Sequence, residues 1–139
     1  MPRRKSFTKK NVVPILSLVV DAVKRLAASQ PEYVYRKNPF ESTAACLYRP
    51  NKLNPQGCLI GAAFRECGVN FNKNHEGKSI DVLLGYLDVP VSKETEFLKD
   101  AQWAQDTGSD WACAVRRGQE GFDEYVAFDD EEGGTTERD

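Results

Sequence analysis

The side chains with most chemistry to offer are Cys46, Cys58, Cys67, Cys113 and the only histidine, His75. Between successive cysteines lie eleven, eight and forty-five residues. A structural zinc site normally takes two ligands from one knuckle, because a close CxxC pair pre-forms half of the tetrahedron. No such pair is present. Buried free cysteine, acting as a small hydrophobe, accounts for Cys58, Cys67 and Cys113. The reading is therefore no metal and no cofactor, with zinc on Cys46, Cys58, Cys67 and His75 as an alternative. A cysteine nucleophile needs a thiolate and a base. Cys58 stands where a helix is predicted to begin, and His75 lies in the polar loop NFNKNHEGK. A packed thiol and a surface imidazole are the plainer account. No phosphate-cradling glycine loop or nucleotide fingerprint occurs. The expectation is that the chain is not an enzyme.

Glu94, Glu96, Asp100, Asp106 and Asp110 could form a carboxylate site. Lys93 and Lys99 lie among them, so a solvated charged helix face explains them better. Residues 92–118 also resemble a helix–turn–helix, with Ala104, then Gly108, then a helix starting at Ser109. Arg116 and Arg117 would make its phosphate contacts, helped by Arg3, Arg4 and Lys5 from the basic head. Asp106 and Asp110 oppose that reading.

The elements that must position these residues follow from apolar periodicity. Val12, Ile15, Leu16, Val19, Val23 and Leu26 recur on one face, predicting a helix over 11–29 capped by Asn11, with Pro14 in its first turn. Val13, Leu18 and Val20 spill onto a second side, which implies a wide buried arc or a partner. Tyr33–Tyr35 and Cys46–Tyr48 read as extended segments that could pair as a small two-stranded hairpin. Pro55, Gln56 and Gly57 make a turn, and a buried helix follows through Leu59, Ile60, Ala62, Ala63 and Phe64. Gly57 and Gly61 are four apart, so another backbone can approach that face closely. Gly68 ends the helix as a C′ glycine. Ser79 and Ser92 are expected to cap two further helices, and a short one runs from Ser109 to Gly118.

The chain has 139 residues, 29% charged and 40% hydrophobic, which is one domain's worth of ordinary globular sequence. No apolar run approaches the ~20 residues of a membrane span. Four widely spaced cysteines without a signal peptide suggest reduced thiols and a cytoplasmic protein. Net charge is −2, but it is uneven: residues 1–10 carry five bases and no acid, and residues 119–139 carry nine acids against Arg138. These ends read as a flexible basic arm, 1–10, and a disordered acidic tail, 129–139, around a single helical domain, 11–128.

Cys46-Leu47-Tyr48, Gly57-Cys58-Leu59-Ile60-Gly61-Ala62 with Gly68-Val69, and the later Ala101-Gln102, Gln105-Asp106, Gly108, Trp111 and Ala114-Val115 form a pattern. In it the chain is similar to small uncharacterised proteins of actinobacteria and their phages, over roughly residues 31–118. The loop Lys52–Asn54 departs from the pattern, and both charged ends fall outside it. The resemblance implies a cytoplasmic accessory protein, encoded by host or phage.

The sequence thus predicts a mainly α fold of about five helices in one compact domain. Its expected role is non-catalytic: a small interaction or regulatory protein that binds another protein. The candidate surface comprises Tyr33, Tyr35, Tyr48 and Arg49, the aromatics Phe122, Tyr125 and Phe128, and the acids Asp129, Asp130, Glu131 and Glu132. The alternatives are a DNA-binding regulator using 92–118 and a thiol or zinc protein around Cys46 and Cys58.

Overall fold

The computed structural model describes residues 5–36 and 47–136, with side chains through Phe128. Strand β1 (Lys5–Ser6) leads into a one-turn helix α1 (Lys9–Val12), a 3-10 turn (Val13–Ile15) and α2 (Leu16–Ser29). Then come α3 (Leu59–Glu66), β2 (Val69–Asn70), a 3-10 turn (Lys73–His75), α4 (Ile80–Tyr86), α5 (Lys93–Asp106) and α6 (Trp111–Thr136). The fold is mainly α: five helices, α2 to α6, carry it. Val19, Val23, Leu59, Ile60, Phe64, Phe97, Leu98 and Trp111 fill the core between them.

Several local expectations are corrected. The basic arm is not free from Lys5 onward. Phe7 is buried, stacks on Phe71 at 4.7 Å and meets the edge of Phe64 at 5.6 Å. That anchor lays Lys5–Ser6 beside Val69–Asn70 as a parallel pair, with Lys5 N donating to Gly68 O at 2.8 Å. One aromatic outweighs the surrounding charge because burying it is worth roughly 2 kcal/mol, while the lysine ends stay in water. Arg3 and Arg4 lie outside the described residues. Thr8, not Asn11, caps the first helix, accepting from Asn11 N at 3.3 Å. Pro14 lies in the 3-10 turn, where its missing N–H interrupts the α pattern between α1 and α2.

The two-stranded sheet is the parallel β1–β2 pair and not the expected hairpin. Cys46 lies outside the described residues. Val34 instead bridges Asp110, and the carbonyls of Tyr33 and Pro31 accept from Trp111 N at 2.9 Å and Ala112 N at 3.0 Å. These bonds satisfy the first amides of α6, which otherwise have no partner within the helix. Asp110 adds a side-chain cap by accepting from Cys113 N at 2.8 Å.

The largest difference is α6. Gly118 was expected to stop a short helix, but the helix runs on to Thr136, past the expected tail boundary at 129. The glycines serve packing. A Cβ on Gly118 would sit 2.9 Å from Phe97 O, and one on Gly121 would overlap the Asp100 carboxylate. Removing both side chains lets α5 and α6 lie close. Trp103 meets Arg117, Lys93 meets Phe122, and Val91 meets Tyr125. Partner numbers fall on one side as they rise on the other, so the pair is an antiparallel hairpin over the length of α5. A helix–turn–helix would cross steeply and touch mainly near the turn.

Candidate functional site

Tyr48, between Cys46 and Cys58, is fully buried. Its ring stacks on Phe71 with centroids 4.2 Å apart. Its backbone passes over α3 where Gly57 and Gly61 leave room. A Cβ on Gly61 would lie 2.8 Å from both Tyr48 C and Cα, and nearer still to its carbonyl oxygen. Arg65 Nη1 donates to that carbonyl at 2.9 Å. The Tyr48 hydroxyl donates to Lys78 O and accepts from Gln102 Nε2 at 2.8 Å. Tyr48 is therefore an internal joint and not a contact surface. Tyr35 is buried too, with its hydroxyl accepting from Leu47 N at 2.9 Å. Tyr33 is half-buried against Trp111 and donates to Asn54 Oδ1 at 2.7 Å.

Sequence reading missed three buried polar groups, one of which holds this joint. Gln102 and Gln105 sit buried on α5, one turn apart. Gln105 Oε1 accepts from Leu59 N at 2.8 Å, and Gln102 Oε1 accepts from Ile80 N at 2.6 Å. Each thus terminates the first amide of another helix, α3 or α4. Ser79 makes no side-chain cap, so Gln102 takes the role expected of it. Asn54, in the loop Lys52–Asn54, is buried. It accepts from Arg36 N at 2.9 Å and donates to Arg36 O at 2.7 Å. Only the pairing of Gln102 with Gln105 on an apolar helix face hinted at such a role.

The thiols have structural surroundings. Cys58 is fully buried as the N-cap of α3, its sulfur accepting from Gly61 N at 3.4 Å. Burial pushes the Cys67 thiol upward, away from the thiolate, with the Glu66 carboxylate adding to it. Cys113 Sγ accepts from Arg116 at 3.0 Å. His75 lies against Phe7 and Phe71, and its Nδ1 accepts from Asn72 N at 3.0 Å. Burial, assisted by the Lys78 ammonium, holds the imidazole below its usual pKa, which suits the acceptor nitrogen. Among the described residues no group of three His, Cys, Asp or Glu is placed to hold a metal ion, and Cys46 is not among them.

Arg49 is exposed and faces Glu76, with Nε and Oε2 3.8 Å apart. Glu76 Oε1 accepts from Tyr48 N at 2.8 Å and Arg49 N at 3.3 Å. Burial still holds its carboxyl above the usual range, against the pull of those amides and the guanidinium. Beside them is a pocket of about 330 Å³ lined by Tyr48, Arg49, Pro50, Arg65, Asn70 and Phe71. Arg65 spends its guanidinium on the carbonyls of Tyr48 and Gln56.

The remaining candidates lie along α6. Arg116 and Arg117 are exposed, but Arg117 reaches Glu120 at 3.4 Å and stands 5.8 Å above the Trp103 ring. Phe122 is half-buried, with the ammonium of Lys93 5.6 Å and that of Lys24 6.0 Å from its ring. The half-buried Tyr125 donates to Val91 O at 3.3 Å. Phe128, one turn on, is 62% exposed, and Val91 is 66% exposed. Asp129, Asp130, Glu131 and Glu132 continue the helical backbone. Of the expected surface, Tyr35 and Tyr48 are buried joints, Tyr33, Phe122 and Tyr125 are half-buried, and Arg49 and Phe128 are exposed, with Val91, which was not among the expected residues, beside Tyr125.

Among the described residues no helix is long and apolar enough to cross a membrane. Comparison with protein-family models, with curated proteins and with solved structures gave no match.

Proposed function

We propose that the chain is a non-catalytic interaction protein that binds another protein through the open end of the α5–α6 hairpin. The observation that carries this reading is the overhang of α6. At about 1.5 Å per residue, the 26 residues of α6 outrun the 14 of α5 by roughly 18 Å. Phe128 stands on that overhang and Val91 beside its root, both largely in water. Single exposed apolar residues are common and need no explanation. Here two of them, with Tyr125 between, adjoin a projecting helix, which is the form of a helix-mediated contact. Elsewhere the side chains of Asn54, Glu76, Gln102 and Gln105 are engaged in internal hydrogen bonds.

The test is site-specific photo-crosslinking in the producing cells, with a benzoylphenylalanine at position 128 of the full chain and a control at position 103. A discrete protein adduct from 128 and none from 103 is expected. No adduct at 128, or one destroyed by nuclease, would overturn the reading.

A further inference from the structure

Resting on that reading, we infer that the partner segment is a basic amphipathic helix, seated with its apolar face on the Val89–Ser92 linker and its cations against α6. Two independent features specify this chemistry. The first is a groove of about 340 Å³ between the start of α2 and the linker, walled by Val13, Pro14, Val89 and Pro90. Its one charged lining residue is Glu94. Val91, exposed like Pro90 in the same linker, gives its carbonyl to Tyr125. The linker is therefore a wall of the groove and the attachment point of the overhang at once.

The second feature is charge. From Gln119 to Thr136, α6 carries Glu120, Asp123, Glu124, Asp129, Asp130, Glu131 and Glu132 and no lysine or arginine. Glu120, Asp123 and Glu124 are exposed. Such a run attracts cations and repels like charge across a contact. It opposes a second copy docking α6 against α6, where acid would meet acid. It opposes nucleic acid for the same reason. A helix with leucine-like side chains on one face and lysines on the other satisfies both groove and charge.

The full-length protein is titrated with three probes of about 18 residues: a leucine–lysine peptide of helical amphipathic pattern, its scrambled sequence, and the leucine–glutamate analogue. Fluorescence anisotropy should show the first binding at least about tenfold more tightly than either control. That binding should weaken by about tenfold in Val91→Ser and in Phe128→Ser, and stay unchanged in Trp103→Ser. Circular dichroism of each variant confirms that it folds. Equal binding of the patterned and scrambled peptides would reduce the effect to bulk charge and overturn the inference. Unaltered binding by Phe128→Ser, or self-association that this variant abolishes, would overturn it too. A protein adduct from position 128 without binding of the leucine–lysine peptide leaves the interaction reading standing and removes the basic-helix inference.

Discussion

The close passage of Tyr48 over α3 yields a prediction with opposite signs at two glycines and an intermediate effect at a third. Gly61 and Gly85 both lie within helices, α3 and α4, and neither adopts a positive φ. On propensity alone, each Gly→Ala change should stabilise its helix by up to ~1 kcal/mol. Space decides otherwise. A Cβ on Gly85 meets nothing within 4 Å, so the gain survives there. A Cβ on Gly61 meets the carbonyl oxygen, C and Cα of Tyr48, all backbone atoms that no rotamer change can move. Tyr48 is also held by Gln102, Glu76 and Arg65, so it cannot retreat without breaking other bonds. Overpacking of this kind costs about 3 kcal/mol at the upper end of its usual range, leaving a net loss of ~2 kcal/mol after the propensity gain. With an unfolding entropy of ~2.1 cal/mol/K per residue, a chain of this length loses about 7 °C of Tm for Gly61→Ala and gains about 2–3 °C for Gly85→Ala. Gly118→Ala should fall between them, because its nearest neighbour, Phe97 O, is 2.9 Å away. Calorimetry or thermal circular dichroism of the three variants reads the order directly. A Tm for Gly61→Ala equal to or above that of the parent would refute the close passage of Tyr48 over α3.

Two further outcomes are expected. Gln102→Leu leaves Ile80 N–H buried without its acceptor and removes the Tyr48 hydroxyl's donor, so urea unfolding should show a loss of ~2–4 kcal/mol; a loss below ~0.5 kcal/mol would show that the glutamine caps nothing. His75 has a folded pKa below the usual 6.5, so the unfolded chain takes up its proton first and stability falls as pH drops through that value, levelling below the folded pKa. Relative to a His75→Gln variant, the parent should therefore lose stability between about pH 7 and pH 5. The raised carboxyl of Glu76 acts with the opposite sign nearer its usual 4.5, which the comparison between variants cancels. Equal pH slopes for the two proteins would contradict the lowered pKa of this half-buried imidazole.

Much of the scaffold was legible because it rests on patterns that local physics dictates. The apolar recurrence from Val12 to Val23 announced α2, and the Gly57/Gly61 face announced a close backbone, though not which one. The unreadable parts depend on partners distant in sequence. Gly118 looks like a stop signal because glycine at a helix end and glycine at a helix crossing are the same residue; only the approach of Phe97 distinguishes them. Gln102 and Gln105 look like solvent-facing residues until α3 and α4 supply the amides they accept. Phe7 was masked by the charges around it. For the candidate surface, aromatic content pointed to Phe122, Tyr125 and Phe128 alike, but depth of burial, which follows from helix pairing, leaves only Phe128 fully outward.

The two α5 glutamines also set an order of events. Helices of eight and seven residues are marginal on their own. The first amides of α3 and α4 find their acceptors 46 and 22 residues downstream. A nascent chain therefore cannot cap α4 in this way before Gln102, or α3 before Gln105, has left the ribosome. After synthesis, solvent exchange at Leu59 and Ile80 should require α5 to detach, making these two amides slow reporters of global opening, while the overhang of α6 exchanges independently.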